Sequence, residues 1–431
     1  MTRYSHLQKQ LDQLRPALTE QLGLISSACT QCQICVSECG FLKNHGDPKK
    51  IADNYNLHEK HFFETPFKCS LCDLCTAVCP QGISPAKMFL EMRREAYDRG
   101  EANFPEHRSL RNYEKRGTSK RFSWYALPEN CDTIFFPGCS LNGSRSEITL
   151  KVYETLQESI PNIGIVLDCC TKPSHDLGDE NYFNAMFDEM KNYLLTHGIK
   201  TVLIACPNCH KVFNDYGTGL KTRTVYEILD KVSASATKKR SETVTIHDPC
   251  TARFNIPAQI AVRSLLQNHG LKVEEQPHSG KNTFCCGEGG AVGCLAPELA
   301  KNWGEKRTKE AGGQRIISYC AGCTQTLGAH AETSHILDLL FASDSTATGK
   351  SKIDKTPVSC FKRLQLKKRL QQGITAAVTR ERTFQALSKH PPKDTARLNR
   401  QLILIGSFVL TAFILISQAW THGVASFFSH F

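Results

Sequence analysis

Twenty-one cysteines in 431 residues dominate the chemistry this chain can do. Eight fall into two runs of one spacing, Cys29, Cys32, Cys35, Cys39 and Cys69, Cys72, Cys75, Cys79, each x2, x2, x3. Three thiolates two residues apart wrap one face of a 4Fe–4S cubane, and the fourth reaches a neighbouring cluster instead. The expected ligand sets are therefore interleaved: Cys29, Cys32, Cys35 and Cys79 on one cubane, Cys69, Cys72, Cys75 and Cys39 on the other. Zinc prefers two separated pairs of ligands, which such runs do not offer. Pro80 follows the second run but Gly40 follows the first, a difference that bears on the turn rather than on the ligand.

Ten more cysteines recur in the order single, double, paired. Cys139, Cys169–Cys170 and Cys206/Cys209 form one block; Cys250, Cys285–Cys286 and Cys320/Cys323 form another with nearly equal gaps. Five sulfurs per block exceed the four a cubane needs. The surplus points to a larger or open cluster with a bridging thiolate, or to a cysteine kept for chemistry. His247 and Asp248 precede Cys250, and His210 follows Cys209. Either histidine is placed to protonate a leaving thiolate; the structural alternative is that Asp248 caps a helix and His247 packs at a strand end. The glycines from Gly287 to Gly293 follow a cysteine pair, so they lack the context of a dinucleotide fingerprint and imply close backbone approach to a cluster. Cys131, Cys294 and Cys360 fall outside every motif and are assigned nothing beyond the packing of a small apolar thiol.

The elements that must hold these residues repeat with them. Asp132–Phe136 and Thr243–His247 are β-rich runs leading to the single cysteines, and Thr201–Ala205 and Arg315–Tyr319 lead to the pairs. Helical patterns such as Ile148–Gln157 and Ile260–Gln267 intervene. Strand–helix alternation predicts a mostly parallel sheet with ligands at the carboxyl ends of its strands. The long gap between the first two cysteine runs predicts a helix over Lys50–Phe63 and an α-helical ferredoxin-type domain. The expected division is a helical lead-in over 1–27, the two-cluster domain over 28–100, α/β blocks over 131–235 and 243–343, and a basic linker over 344–400.

Fourteen Lys/Arg against three acids between Lys350 and Arg400 account for the whole net charge of +11. They precede an apolar run, and no Asp, Glu, Lys or Arg follows Arg400. This pattern predicts a transmembrane helix over 401–421, with the large domain cytoplasmic at the inner membrane as a single-pass protein. The basic block then reads as a topology signal with a solvated face, and sparse aromatic interleaving argues against nucleic acid. The polar N-terminus shows no signal-peptide core, so the thiols are expected to be reduced and free for metal.

The order of the ten cysteines, set behind a two-cluster ferredoxin segment, resembles the CCG-domain proteins of the heterodisulfide reductase group. The iron–sulfur subunits of glycolate oxidase and anaerobic glycerol-3-phosphate dehydrogenase are related to them. The resemblance covers about residues 28–340. It implies a non-cubane 4Fe–4S cluster on Cys139, Cys169, Cys170, Cys206 and Cys209, and another on Cys250, Cys285, Cys286, Cys320 and Cys323. A disulfide is cleaved between them, with Cys286, Cys323 and His247 as candidate catalytic residues. Block one departs from the pattern: Thr171 follows Cys170 where glycine is expected. The expected function is a membrane-tethered oxidoreductase subunit passing electrons through two cubanes to or from the paired site. The alternative is an electron relay for a flavin-dependent dehydrogenase of glycolate, lactate or glycerol-3-phosphate type, feeding membrane quinone. No flavin fingerprint occurs in the sequence, so a flavoprotein or other redox subunit and a quinone or cytochrome subunit are the expected partners.

Overall fold

Two sheets carry the duplication. The structure, a computed structural model, describes residues 14–232, 242–341, 357–374 and 377–387. In the first block β2 (Thr133–Phe136), β3 (Gly164–Leu167), β4 (Thr201–Ile204) and β5 (Lys221–Thr224) lie in the parallel order β3-β2-β4-β5. In the second, β6 (Glu242–His247), β7 (Leu271–Val273), β8 (Arg315–Ser318) and β9 (Thr333–His335) repeat that order as β7-β6-β8-β9, also parallel. The inner strands β2, β4, β6 and β8 are buried over most of their length, as parallel sheets between helices require, and the edge strands β5 and β7 are partly exposed. Cys139, Cys169, Cys206, Cys250 and Cys320 each follow a strand's carboxyl end by two or three residues.

Block one is extended by two further strands. β1 (Trp124–Pro128) pairs antiparallel with β3, and β10 (Ala377–Arg380) pairs antiparallel with β1. The chain before β10 forms a helix, Val358–Gly373, packed against the helix Cys139–Ser144. Gly143 makes that seat possible, because a Cβ there would meet Ser359 O at 3.0 Å. The basic segment is thus only in part a solvated face over its described residues, where Lys368 and Arg369 are exposed. Arg363, Lys367 and Arg382 are buried, and Lys367 Nζ binds Glu381 at 2.6 Å.

The two blocks share one core. Val244, Ile246, Leu265 and Ile317 from the second pack with Phe135, Ile165 and Leu203 from the first. Tyr226 Oη lies 2.9 Å from Ala205 O and 3.0 Å from Tyr319 O, the residues just before the two CxxC pairs. This hydroxyl pins equivalent points of the repeat together.

The ferredoxin segment is helical. Pro16–Ala28 and Pro85–Asp98 both start with proline, whose missing N–H costs nothing at a first helical position. They bury Leu18 and Ile25 against Met88, Phe89 and Met92 beside the cysteine loops. The helix expected over Lys50–Phe63 is two: Pro48–Asp53, N-capped by Asp47, and His61–Glu64. Asn54 ends the first and a turn separates them.

One part of the expected fold class is corrected. The span 401–421 lies outside the described residues, and among those no helix is long and apolar enough to cross a membrane. The fold class is a mixed α/β protein with ferredoxin and CCG domains, and the single-pass inner-membrane placement is withdrawn with the helix.

Candidate iron–sulfur centres

The two CxxCxxC loops share one backbone shape. In each, the residues flanking the central cysteine take left-handed conformations: Gln31 (φ 54°) and Gln33 (65°), Leu71 (48°) and Asp73 (58°). Such φ values are uncommon outside glycine and cluster at functional sites. They curl the chain so that its sulfurs face inward. Cys29, Cys32, Cys35 and Cys79 line one small cavity, together with Cys75. Burial, then the thiols of Cys29, Cys32 and Cys79, push Cys35 up to about 12. At the other loop, burial and then Cys69, Cys72 and Cys39 among its neighbours push Cys75 well up. The structure therefore brings Cys79 to the first run and Cys39 to the second.

In the blocks, sulfur contacts form a chain. Cys139 touches Cys169, Cys170 touches Cys209, and Cys206 touches Cys209. Cys250 touches Cys285, Cys286 touches Cys323, and Cys323 touches Cys320. Nine of these ten cysteines line a single cavity of about 580 Å³ between the blocks; Cys285 is the exception. Cys285 turns toward the ferredoxin loop, packing with Cys72, Phe284 and Trp303 and with Cys39 at the edge. With Cys250 beside it, Cys285 sets block two against the second ferredoxin set.

Two arginines fasten this junction. Arg93, fully buried, donates to Cys69 O (2.5 Å), Asp176 O (2.6 Å), Gly290 O (2.8 Å) and Pro66 O (3.0 Å), joining the ferredoxin loop to both blocks. Arg253 donates to Cys72 O (3.0 Å) and Thr283 O (2.7 Å). Neither carried a sequence signal, since each acts on carbonyls distant in the chain. The glycines after Cys286 do allow a close approach, but to protein: a Cβ on Gly290 would meet Cys69 O at 2.8 Å, and one on Gly289 would meet Ser70 O at 2.7 Å.

The position after each cysteine pair explains the CCG glycine. Gly287 has φ 101°, and a Cβ there would meet Ala300 O at 2.3 Å; its N–H donates to Cys285 Sγ at 3.3 Å. Thr171 takes the same left-handed turn at φ 56° without glycine, its hydroxyl donating to Cys170 O at 2.8 Å.

His247 ends β6, fully enclosed, with both ring nitrogens unpartnered and a ligand atom within 4.8 Å of Cys286 and Cys323 sulfurs. Burial and then Arg307 bring its pKa down to about 3. It does not line the cavity and so does not face a substrate there; nor does His210, whose ring meets Asn255 at 3.3 Å. Asp248 caps no helix: it binds Arg263 (2.9 Å), the Gly280 N–H (2.7 Å) and the Tyr319 hydroxyl (2.9 Å).

These residues fit iron–sulfur groups. All 21 cysteines are free thiols. Burial and mutual repulsion oppose ionisation at most of the packed sulfurs, a penalty that bound iron removes by taking the thiolate directly. Behind the cavity wall His247 leaves an orphaned nitrogen within 4.8 Å of the Cys286 and Cys323 sulfurs, and Gly138 leaves a cradle in which a Cβ would sit 3.2 Å from Cys209 Sγ.

Comparison with known proteins agrees. A 4Fe-4S dicluster domain matches residues 28–84, and a cysteine-rich (CCG) domain matches 133–214 and 244–328. One of the subunits of the dihydromethanophenazine:CoB–CoM heterodisulfide reductase of Methanosarcina barkeri is 24% identical over 70% of this chain and 88% of its own length. One of the subunits of the fumarate reductase (CoM/CoB) of Methanothermobacter marburgensis is 23% identical over 68% of this chain and 66% of its own. The EtfAB:quinone oxidoreductase of Syntrophomonas wolfei is 24% identical over 53% of this chain and 36% of its own. The chain belongs to the CCG-domain iron–sulfur oxidoreductases. It is an iron–sulfur oxidoreductase with multiple 4Fe–4S clusters, and the heterodisulfide reductase and fumarate reductase relatives are subunits of larger redox enzymes.

Proposed function

We propose that this subunit performs heterodisulfide reductase-like chemistry: two electrons, carried singly through the ferredoxin centres, pass to a disulfide, or from a pair of thiols, in the cavity between the blocks. One observation carries the reading, the opening of both cysteine blocks onto the same cavity. Its volume lies within the ~300–1,000 Å³ range of small-molecule sites. The ligand sets are those expected from the spacing: Cys29, Cys32, Cys35 and Cys79; Cys69, Cys72, Cys75 and Cys39; and the two quintets headed by Cys139 and Cys250. Bound there, 4Fe–4S clusters supply one-electron exchange. The protein's own part is to seat the substrate between the blocks, to hold the second ferredoxin set against Cys285 through Arg93 and Arg253, and to shield both from water. The heterodisulfide reductase relative and the fumarate reductase (CoM/CoB) relative support a sulfur substrate.

The test is stopped-flow reoxidation of anaerobically reduced protein by small organic disulfides. Reoxidation dependent on Cys286 and Cys323 is expected. Reoxidation only by a flavoprotein partner, with disulfides inert, establishes the relay reading instead.

A further inference from the structure

The cavity has a wall that belongs to neither matched domain. The helix Val358–Gly373 presents Ser359, Cys360 and Arg363 to the space lined by the block cysteines. Residues three apart share a helix face, so Cys360 and Arg363 look in together. Cys360 is partly exposed, and its sulfur accepts a hydrogen bond from Arg116 Nη1 at 3.3 Å. Arg363 is only 5% exposed, and its guanidinium carbon stands 5.0 Å from the Phe122 ring centroid. Its Nη2 is enclosed and has no partner. An enclosed guanidinium donor costs free energy until an acceptor meets it, and an anion is the strongest one.

Building on the function proposed above, we propose that Cys360 is a substrate-exchange thiol of the cavity, and that Arg363 receives the acidic group of a small anionic organic disulfide. The Cys360 thiolate attacks one sulfur of R–S–S–R′. The Cys360–S–R bond forms, the original S–S bond breaks, and R′S⁻ leaves and takes a proton from water. Two electrons from the chain's own redox centres and one further proton then cleave the mixed disulfide, releasing RSH and restoring the Cys360 thiolate. The sum is R–S–S–R′ + 2e⁻ + 2H⁺ → RSH + R′SH. Arg116 donates to the Cys360 sulfur, and Arg363 shares its helix face, so the attacking sulfur and the anion-receiving guanidinium meet the same substrate. Arg363 has a simpler possible task, as a counter-charge to block one, since its guanidinium lies close to Cys169 around Gly117. That role alone gives no preference among disulfides, and this separates the two.

The experiment uses oxygen-free full-length protein with its iron content verified. Oxidised protein is exposed to 3,3′-dithiodipropionate, which is anionic, or to bis(2-hydroxyethyl) disulfide, which is neutral; it is then digested and its peptides are weighed. A mixed disulfide on Cys360 is expected, forming about tenfold faster with the anionic probe, the effect of one charge-assisted contact. Arg363→Gln should abolish the preference and Arg363→Lys should keep part of it. Cys360→Ser should lose the adduct and slow disulfide-driven reoxidation of reduced protein at least about tenfold, with iron content unchanged; Cys294→Ser should keep both. No adduct on Cys360, wild-type reoxidation rates in Cys360→Ser, or an unchanged probe preference in Arg363→Gln each overturn the proposal. If reduced wild type is not reoxidised by either disulfide, the function proposed above fails, while the adduct measured on oxidised protein still decides the exchange step.

Discussion

Arg382 Nε lies 3.2 Å from Asp168 Oδ2, with both side chains wholly enclosed. Asp168 Oδ1 in turn accepts the Cys169 N–H at 2.7 Å, and the Tyr125 hydroxyl donates to its other oxygen. A residue more than two hundred positions away thus holds the carboxylate that orients the first cysteine pair. Burial lowers the Arg382 pKa, but Asp168, Tyr125 and Glu189 outweigh it and raise it; burial pushes Asp168 up as well, against the pull of Arg382 and of the Tyr125 and Cys169 hydrogen bonds. Removing one partner of a buried pair costs about 3–5 kcal/mol. Arg382→Met should therefore lower the anaerobic Tm and reduce iron bound at block one more than elsewhere, as Mössbauer quantitation would show. Adding Asp168→Asn, which keeps the acceptor for Cys169, should recover more than half of the loss.

That ion pair also marks where sequence reading stops. Spacing made the CxxC runs and the cysteine pairs legible as candidate ligands, because metal ligation favours short intervals along the chain, and the repeat of their order marked the two blocks. Hydrophobic periodicity made β2, β4, β6 and β8 legible, because a buried parallel strand is a short apolar run. Arg382, Arg93, Arg253 and Tyr226 were not legible: each acts on backbone carbonyls or a single carboxylate brought close only by the fold. The basic run containing Arg363 and Lys367 read as solvated because composition does not report which charges find partners. The Lys50–Phe63 helix was overextended because no glycine or proline marks the break that the structure has between Pro48–Asp53 and His61–Glu64.

The interleaved ligation makes a specific prediction. Cys79→Ser should remove the same reduced EPR signal as Cys32→Ser, and Cys39→Ser the same one as Cys72→Ser, each with a loss of about four irons. If Cys79→Ser instead matched Cys72→Ser, each run would close on its own cluster, contrary to the cavity that holds Cys79 with all three of Cys29, Cys32 and Cys35 but with Cys75 alone of its own run.

The two turns after the cysteine pairs should respond differently to the same side chain. Gly287→Ala forces a Cβ to 2.3 Å from Ala300 O at φ 101°. The clash and the strained backbone together should cost about 3 kcal/mol or more. Thr171→Ala keeps a Cβ where one is already accommodated and loses only the hydrogen bond to Cys170 O, about 1 kcal/mol. Urea midpoints of oxygen-free protein, with iron counts for each variant, check both.

Acid sensitivity should trace in part to His107, far from any cysteine motif in sequence. It is 1% exposed, packs 5.5 Å from both the Phe67 and Phe104 rings, and has no partner for either nitrogen. Burial, then the positive charges of Arg93 and Arg111, bring its pKa down to about 3 from an ordinary 6.5. The folded state therefore binds a proton less readily than the unfolded chain. Stability contributed by the neutral ring is present above pH 6.5 and is lost as pH falls from there toward 3. Between pH 7 and pH 5 this amounts to about 2 kcal/mol from one such group. His107→Phe keeps an aromatic ring between Phe67 and Phe104 and removes the titration. Its unfolding free energy should fall by about 2 kcal/mol less than wild type over that interval. Equal losses in the two proteins would show that the acid response comes from other groups.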